Sequence, residues 1–298
     1  MDELRGVYVV LVTPLDSQRN VDADGLRGNV DWLIREGVDG IVALGSTGEF
    51  ASLDAESRRV VVRTVVDSAR GRVPVMVGTG AETTEATIEN TREAQRLGAT
   101  SVLVIPPWYY TPSPEELVDH YVSVAEASEL PLMVYNNPFT SKVDIKPDAL
   151  SLIAKHERVV AVKESSGNIR RITEIRSRTC DSIAVFCGWE DMAYESFVVG
   201  ATGWICVAGN IVPRFCVELF RWAGDMGSKE RARELYGKML PFLRYLEYRG
   251  RTQQALKYAL DHLGLAGGRC MTPKAPLTSQ EVEEIRGILY ELGVSLSA

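Results

Sequence analysis

The chain has 298 residues, of which 45% are hydrophobic and 24% charged, and its formal net charge is −7. This ordinary globular composition excludes a disordered, collagen-like or coiled-coil protein, and the length allows either two domains or one large α/β barrel. A mildly acidic chain also lacks the basic surface with which proteins bind nucleic acid or anionic membranes.

The N-terminus and the cysteines indicate the compartment. No apolar run approaches the roughly 20 residues that cross a bilayer, and Met1-Asp2-Glu3-Leu4-Arg5 does not open a secretory signal. The five cysteines are Cys180, Cys187, Cys206, Cys216 and Cys270. Their number is odd and no C-x-x-C pair occurs, so we expect neither a disulfide framework nor a zinc site. The sequence predicts a cytoplasmic protein with reduced thiols.

Eight short apolar segments recur along the first two-thirds of the chain, and their continuous hydrophobicity is typical of strands buried on both faces. They are Val7–Val12, Gly40–Leu44, Val73–Val77, Ser101–Ile105, Leu132–Tyr135, Val159–Lys163, Ile183–Phe186 and Thr202–Val207. Amphipathic segments of helical period follow them, at Asp24–Arg35, Asp54–Ala69, Thr83–Leu97, Glu115–Ala127, Pro147–Lys155, Ile169–Arg178, Asp191–Val199 and Val212–Ala223. Eight strand–helix units predict a (β/α)8 TIM barrel. A doubly wound open sheet would normally carry a phosphate loop, and neither G-x-G-x-x-G nor G-x-x-x-x-G-K-[ST] occurs.

The last quarter of the chain is helical. After Gly224 the strand pattern stops, and three helices are predicted at Lys229–Tyr248, Thr252–Leu263 and Ser279–Leu292, the last with a capping box formed by Thr278 and Glu281. We divide the chain into residues 1–224, a barrel that carries the active site, and residues 225–298, a C-terminal helical extension. The apolar faces of the extension need a surface to cover, either the barrel side or another subunit.

Lys163 is the strongest candidate for catalysis. The chain has eight lysines, and only Lys163 continues a buried strand, Val159-Val160-Ala161-Val162. In a barrel of this kind the reactive groups gather at the carboxyl ends of the strands. Burial disfavours the ammonium and favours the neutral amine, which can attack a carbonyl to form a Schiff base. The alternative is a lysine that extends out of the strand end or pairs with Glu164.

Two further strand ends carry candidate groups. Tyr135, at the end of the fifth strand, would lie beside Lys163 and could exchange protons with a lysine-bound intermediate; alternatively it is an ordinary half-buried aromatic residue. The glycine-flanked turn Ser46-Thr47 offers hydroxyls and backbone N–H groups to a carboxylate, or else simply caps the next helix.

Other chemistries have little support in the sequence. The histidines His120, His156 and His262 fall away from the carboxyl ends of the strands, which argues against a Ser-His-Asp triad or a histidine-ligated metal site. Glu190 and Asp191 follow the seventh strand, where an acidic pair could supply ligands or acid/base groups; we interpret them instead as a helix cap. We predict no metal site.

The ends of three predicted strands carry the motifs Gly45-Ser46-Thr47-Gly48-Glu49, Tyr135-Asn136-x-Pro138 and Val162-Lys163-Glu164-Ser165-Ser166-Gly167. In this order and at this spacing they resemble the dihydrodipicolinate synthase/N-acetylneuraminate lyase family of class I aldolases and lyases. The similarity runs from Thr13-Pro14-Leu15 through the helical tail.

The resemblance implies a role for each matched residue. Lys163 would form the Schiff base with pyruvate or a related 2-oxo acid, and Tyr135 would be the general acid/base. Ser46 would pass protons from Tyr135 towards Tyr109, which the family usually supplies from a neighbouring subunit. The residues expected to bind substrate are Ser46, Thr47, Gly48, Asn137, Thr140 and Ile205. The resemblance also implies a homotetramer, or at least a dimer, that works without a metal or organic cofactor.

The sequence departs from the synthase pattern in the segment that would contact the rest of the substrate, so the part of the substrate beyond the 2-oxo acid is left open. True synthases carry an arginine two residues after the motif proline, and this chain has Thr140 there; Asn137 is also polar where synthases usually have an aliphatic residue. A hydroxyl cannot replace a bidentate guanidinium, so we expect a lyase or aldolase for a substrate with a neutral polar tail. The alternatives are a true 4-hydroxy-tetrahydrodipicolinate synthase, which joins pyruvate and aspartate semialdehyde, and a non-catalytic protein that binds 2-oxo acids.

Overall fold

Eight parallel strands close into a barrel. The computed structural model describes residues 4–224 and 228–297. Neighbouring strands pair in chain order, and the eighth pairs with the first. The strands are β1 (Gly6–Val10), β2 (Gly40–Ala43), β3 (Val75–Gly78), β4 (Ser101–Val104), β5 (Leu132–Asn136), β6 (Val159–Glu164), β7 (Ala184–Cys187) and β8 (Gly203–Cys206). The predicted (β/α)8 barrel is confirmed.

Helices alternate with the strands and then continue beyond the barrel. They are α1 (Ala23–Arg35), α2 (Ala55–Ala69), α3 (Thr84–Arg96), α4 (Pro114–Glu126), α5 (Pro138–Ser141), α6 (Pro147–Ile153), α7 (Arg170–Thr179), α8 (Ala193–Val198), α9 (Pro213–Gly224), α10 (Lys229–Tyr248), α11 (Thr252–His262) and α12 (Ser279–Leu292). The sequence missed α5, because a four-residue helix is too short to show a helical period. None of the described helices is long and apolar enough to span a membrane.

Side chains fill the barrel in two layers. The inner layer lies inside the strands and contains Tyr8, Val10, Val42, Met76, Leu103, Ile105, Met133, Tyr135, Ala161, Phe186 and Ile205. The outer layer lies between strands and helices and includes Leu132, Val134 and Val162. Because successive residues of a strand face opposite sides, Lys163 faces inward like Ala161 two residues earlier. The two-residue period of the strand therefore places Lys163 inside the barrel, at the carboxyl end of β6.

The C-terminal helices touch both the side and the mouth of the barrel. α10 packs against α9, α12 and the turn that contains Glu190, and α11 approaches the turn after β2. The helical extension that the sequence predicted is present. Residues 225–227 lie outside the described residues, as do Met1-Asp2-Glu3, so the division at residue 224 stays a prediction.

Candidate active site

Lys163 lies beside Tyr135 at the carboxyl end of the barrel. The two residues are register partners on β6 and β5, and the Lys163 Nζ is 4.0 Å from the centroid of the Tyr135 ring. Lys163 is only 5% exposed. Glu164 faces the other side of the strand, where its carboxylate accepts a hydrogen bond from Asn136 Nδ2 at 3.0 Å. Within the described residues Lys163 makes no ion pair with a carboxylate, so its amine is not held by an acidic partner there.

A glycine after β7 makes room for the lysine side chain. A Cβ added to Gly188 would lie 2.7 Å from Lys163 Cγ and 2.1 Å from Ser165 Oγ, well inside van der Waals contact. Any larger residue at this position would push the lysine out of its present path. Sequence reasoning noted Gly188 only as part of a strand end, because a close approach between distant segments leaves no local pattern.

The phenol of Tyr135 is the titratable group next to the amine. Burial alone would raise its pKa, but the charge of Lys163 and hydrogen bonding, with Asn137 as the leading donor, outweigh burial and hold the pKa below its ordinary value. The Ser46 hydroxyl contributes to the same shift, although its Oγ is buried without a hydrogen-bond partner of standard geometry in the described chain. A phenol with a lowered pKa exchanges protons more readily near neutral pH.

Asn137 holds the phenol from the start of α5. It is the N-cap residue of this helix, and its Oδ1 accepts a hydrogen bond from the Thr140 backbone N–H at 3.1 Å. Its Nδ2 donates to the Tyr135 hydroxyl at 3.0 Å. Thr140 itself is exposed at the mouth. Lys142 ends α5 with its ammonium bonded to the Phe139 carbonyl at 3.0 Å, so it folds back on the helix.

The turn after β2 presents backbone N–H groups. Gly48 and Glu49 donate the hydrogen bonds that close the turn, whereas the N–H groups of Ser46 and Thr47 have no partner in the described chain. Thr13 Oγ1 donates to the Gly48 carbonyl at 2.8 Å and fixes the turn to the loop after β1. Unpaired, adjacent N–H groups form a nest that suits a carboxylate.

A buried ion pair that the sequence did not reveal anchors this turn. Lys257 on α11 is 1% exposed, and its Nζ lies 2.7 Å from Glu49 Oε1. Lys274 Nζ and the Met271 N–H both donate to Glu49 Oε2 at 3.0 Å. Burial opposes ionisation of Glu49, but the charge of Lys257 prevails and lowers the pKa of that carboxyl. Gln253 adds a bond to the Ser46 carbonyl at 3.2 Å, so α11 braces the turn.

The interpretation of Glu190 and Asp191 as a helix cap is wrong. The helix α8 begins after Met192 and has no side-chain cap. Glu190 instead accepts hydrogen bonds from the backbone N–H groups of Val207 and Ala208, each at 2.8 Å. Its own N–H donates to Glu247 Oε1 on α10 at 2.6 Å. The carboxyl groups of Glu190 and Glu247 therefore join the ends of β7 and β8 to the C-terminal extension.

The carboxyl groups of Glu190 and Glu247 both have raised pKa values. Burial, and next the charge of Glu247, raise the pKa of Glu190 to about 8, against the opposing effect of its two backbone donors. Burial raises the pKa of Glu247 to about 7. The charge of Lys163 acts on both in the opposite direction. Glu190 and Glu247 are therefore electrostatically coupled to Lys163.

The remaining predicted site residues fall at two places. Ile205 is fully buried in the inner layer of the barrel, in register with Tyr8 on β1. Tyr109 follows β4 and is 94% exposed, with its backbone N–H bonded to Glu82. The side chain of Tyr109 therefore lies almost wholly in solvent and is not part of the inner layer of its own barrel. Among the described residues no cluster of three or more His, Cys, Asp or Glu is arranged to hold a metal ion.

Comparisons with known proteins give relatives along nearly the whole chain. The model of the dihydrodipicolinate synthetase family matches residues 3–292. The 4-hydroxy-tetrahydrodipicolinate synthase of Methanothrix thermoacetophila is 35% identical to this chain, with 97% of each protein covered. The enzyme of the same name from Methanospirillum hungatei is 37% identical, covering 95% of this chain and 98% of the relative.

The structural comparison gives the same family. The crystal structure of the chloride-inhibited dihydrodipicolinate synthase from Acinetobacter baumannii, complexed with pyruvate, superimposes with a TM-score of 0.92. The two chains are 33% identical, and the alignment covers 97% of this chain and 99% of the other. The similarity includes both the barrel and the helical tail.

Proposed function

Because this chain belongs to the dihydrodipicolinate synthetase family, whose enzymes are lyases that form Schiff bases, we propose that Lys163 forms the Schiff base with pyruvate or a related 2-oxo acid. The observation that carries the proposal is the buried Lys163 amine, which has no carboxylate partner in the part of the chain that the structure describes and lies beside the Tyr135 phenol. In its neutral form the amine attacks the 2-oxo carbon, and the oxygen leaves as water.

The proposed roles of the neighbouring groups follow from their contacts. Tyr135 donates the proton that the departing oxygen needs and exchanges protons with the intermediate, which its lowered pKa supports. Ser46 relays protons between Tyr135 and a Tyr109 from another subunit. The N–H groups of Ser46 and Thr47, with Gly48 behind them, bind the 2-oxo acid carboxylate. The backbone carbonyl of Ile205 borders the same pocket.

The reaction needs no metal or organic cofactor. Once the imine is protonated, the 2-oxo carbon accepts electrons, and it stabilises the enamine left by carbon–carbon bond cleavage or by deprotonation. Aldol cleavage, condensation, dehydration and deamination all pass through this same intermediate. The protein's part is to bind the carboxylate, to position Lys163 and to move protons at Tyr135.

We propose a substrate whose tail is polar but uncharged, such as a sugar-derived 2-oxo acid or a pyrroline carboxylate. Thr140 supplies a hydroxyl at the mouth, and neither Thr140 nor Asn137 brings a charge there. Phe139 and Trp189, with ring centroids 5.0 Å apart, add aromatic surface for the C–H faces of such a molecule. Lys142 is bonded to the Phe139 carbonyl, so it does not supply the cation that a second carboxylate would need.

The second candidate is 4-hydroxy-tetrahydrodipicolinate synthase activity, which the names of the relatives favour. The two are separated by comparing kcat/KM for aspartate semialdehyde, 2-keto-3-deoxy sugar acids, N-acetylneuraminate and the pyrroline carboxylate. We expect aspartate semialdehyde to be the poorer substrate, and Thr140→Arg to raise its kcat/KM by roughly 10- to 150-fold through a charge-assisted bidentate contact. If the wild type already prefers aspartate semialdehyde, the synthase assignment is correct.

Enamine formation tests the proposed function without knowledge of the second substrate. In deuterium oxide an enamine exchanges the methyl hydrogens of pyruvate, which nuclear magnetic resonance follows directly. We expect exchange in the wild type and in Lys155→Met, a matched change at an exposed lysine. Lys163→Met should abolish it, and Tyr135→Phe should slow it by about 10²- to 10⁴-fold. Pyruvate binding without exchange or turnover would favour the non-catalytic binding protein.

Quaternary structure and location complete the proposal. We expect a homotetramer, or at least a dimer, because the 94% exposed Tyr109 becomes useful to catalysis only beside a second subunit. We also expect a cytoplasmic protein, consistent with the free thiols of all five cysteines. No nucleic acid or membrane partner is proposed.

A further inference from the structure

The side-chain amide of Asn137 is held at both ends. Its Oδ1 accepts from the Thr140 backbone N–H at 3.1 Å, and its Nδ2 donates to the Tyr135 hydroxyl at 3.0 Å. A backbone N–H can only donate, so the amide oxygen must face Thr140 and the NH₂ group must face the phenol. The chemistry of the N-cap therefore fixes which end of the amide meets Tyr135.

We propose that Asn137 is a positioning residue that acts on the reaction through Tyr135. Resting on the function proposed above, this inference assigns to Asn137 the control of the acid/base group rather than a contact with substrate. By donating to the phenol oxygen, Asn137 stabilises the ionised form and occupies one of its acceptor directions. The phenol hydrogen is then left to point elsewhere, towards the buried and unpaired Ser46 Oγ or the substrate.

Asn137 and Tyr135 are only two residues apart, so the start of α5 directly positions the amide beside the phenol. Tyr135 ends the inner layer on β5, Asn136 faces the other side, and Asn137 is already the N-cap of α5. Pro138 at the first helical position favours the helix start, so the amide is oriented before any ligand arrives. The short helix that the sequence missed thus places a hydrogen-bond donor on the phenol.

Two simpler roles make different predictions for the same substitutions. Ser and Asp cap helices about as well as Asn, but Ser is too short to reach the phenol and Asp carries no NH₂ group. If Asn137 only caps α5, Asn137→Ser behaves like the wild type. If Asn137 contacts the substrate tail, Asn137→Ser changes the KM of the second substrate and leaves the titration of Tyr135 unaffected.

Asn137→Ser leaves the charged surroundings of the phenol unaltered, whereas Asn137→Asp adds a carboxylate at residue 137 itself. Lys163 on β6 faces the ring directly, and the charge of Lys163 also acts on Glu190 after β7 and on Glu247 on α10. Ser46, after β2, contributes a neutral hydroxyl. A change in the titration of Tyr135 between variants can therefore be attributed to residue 137.

The test is an ultraviolet titration of tyrosinate on the full-length protein. Each spectrum is taken as the difference from the same protein carrying Tyr135→Phe, which isolates one phenol. We expect the pKa of Tyr135 to rise by about one pH unit in Asn137→Ser, since a hydrogen bond to a charged group is lost, and further in Asn137→Asp, which adds a negative charge. Unchanged titration in Asn137→Ser would overturn the proposal.

Kinetics provide the second readout. The limb of the kcat profile that belongs to Tyr135 should move to higher pH by the same amount, while the KM for pyruvate stays within about twofold. The titration uses no substrate, so it succeeds or fails independently of the proposed function. A shifted phenol in a protein that forms no enamine would leave this inference standing and refute the Schiff-base proposal.

Discussion

Two buried lysines of the described chain have opposite surroundings. The Lys257 ammonium lies 2.7 Å from the Glu49 carboxylate, whereas Lys163 faces the ring of Tyr135 and has no carboxylate partner there. Lys257 is thus fixed in an ion pair, and Lys163 remains available to react. Burial alone does not distinguish the two residues; the partner of each amine does.

The path of the Lys163 side chain depends on Gly188. An alanine Cβ there would come within 2.7 Å of Lys163 Cγ, so we expect Gly188→Ala to displace the amine. Because a misplacement of about 1 Å can cost about 10²-fold in rate, kcat should fall by about that factor. Gly28→Ala on α1, where a Cβ meets nothing within 4 Å, is the control and should leave kcat unchanged. Wild-type turnover in Gly188→Ala would show that Lys163 does not need this space.

At the scale of elements, α11 supports the turn that we propose binds the substrate carboxylate. Lys257→Met would leave the buried Glu49 carboxylate without its closest partner, although Lys274 still contacts it. We therefore expect the free energy of unfolding to fall by about 3 kcal/mol, at the lower end for a broken buried pair.

Urea denaturation measures this effect. Lys155→Met, at an exposed lysine, is the matched control and should change stability by less than about 0.5 kcal/mol. A loosened turn should also raise the KM for the 2-oxo acid. Equal stability of the two variants would mean that α11 is not held by this pair.

The second link between the extension and the barrel, the Glu190–Glu247 pair, predicts a dependence of stability on pH. The pKa values of about 8 and about 7 are both above the ordinary value of 4.5, so the folded protein retains protons that the unfolded chain has released. The contribution of these groups to stability is complete below pH 4.5 and is lost as pH rises through their folded pKa values. Stability should therefore fall with rising pH in this window.

Comparison of Glu190→Gln with the wild type isolates this contribution from other titrating groups. The stability of the variant relative to the wild type should increase between about pH 5 and pH 8, because glutamine releases no proton. Glu283→Gln, which makes the same change at an exposed position on α12, is the matched control. A constant difference between Glu190→Gln and wild type across this range would contradict the raised pKa.

These elements also mark what the sequence could predict. The strands were visible because parallel strands buried on both faces read as continuous apolar runs, and Lys163 because it ends one of them. The Lys257–Glu49 pair was not visible, since the residues are 208 positions apart and Lys257 looks like any polar residue of an amphipathic helix. Glu190 was misinterpreted because an acidic residue before a helix usually caps it, whereas here the distant donors after β8 are its partners.

At the scale of the whole molecule, the exposed Tyr109 predicts that active sites are shared between subunits. Tyr109→Phe and Lys163→Met would each be inactive or nearly so alone. When both are co-expressed, mixed pairs combine an intact Lys163 with an intact Tyr109, and random pairing should restore about a quarter of the sites. Activity assays on the co-purified protein measure this recovery.

Light scattering provides the independent check on the same prediction. An assembly of at least two chains should be present at the concentrations used for the assay. A monomer that turns over at the wild-type rate, or the absence of any recovery in verified mixed assemblies, would refute a shared site.

The most direct test of the central claim is chemical trapping of the Schiff base. Borohydride reduction in the presence of pyruvate converts an imine into a stable amine, which peptide mass spectrometry locates on the chain. The account predicts one adduct, on Lys163, and none on Lys257, which is also buried but is held in an ion pair. An adduct on any other lysine, or none with any 2-oxo acid, would contradict it.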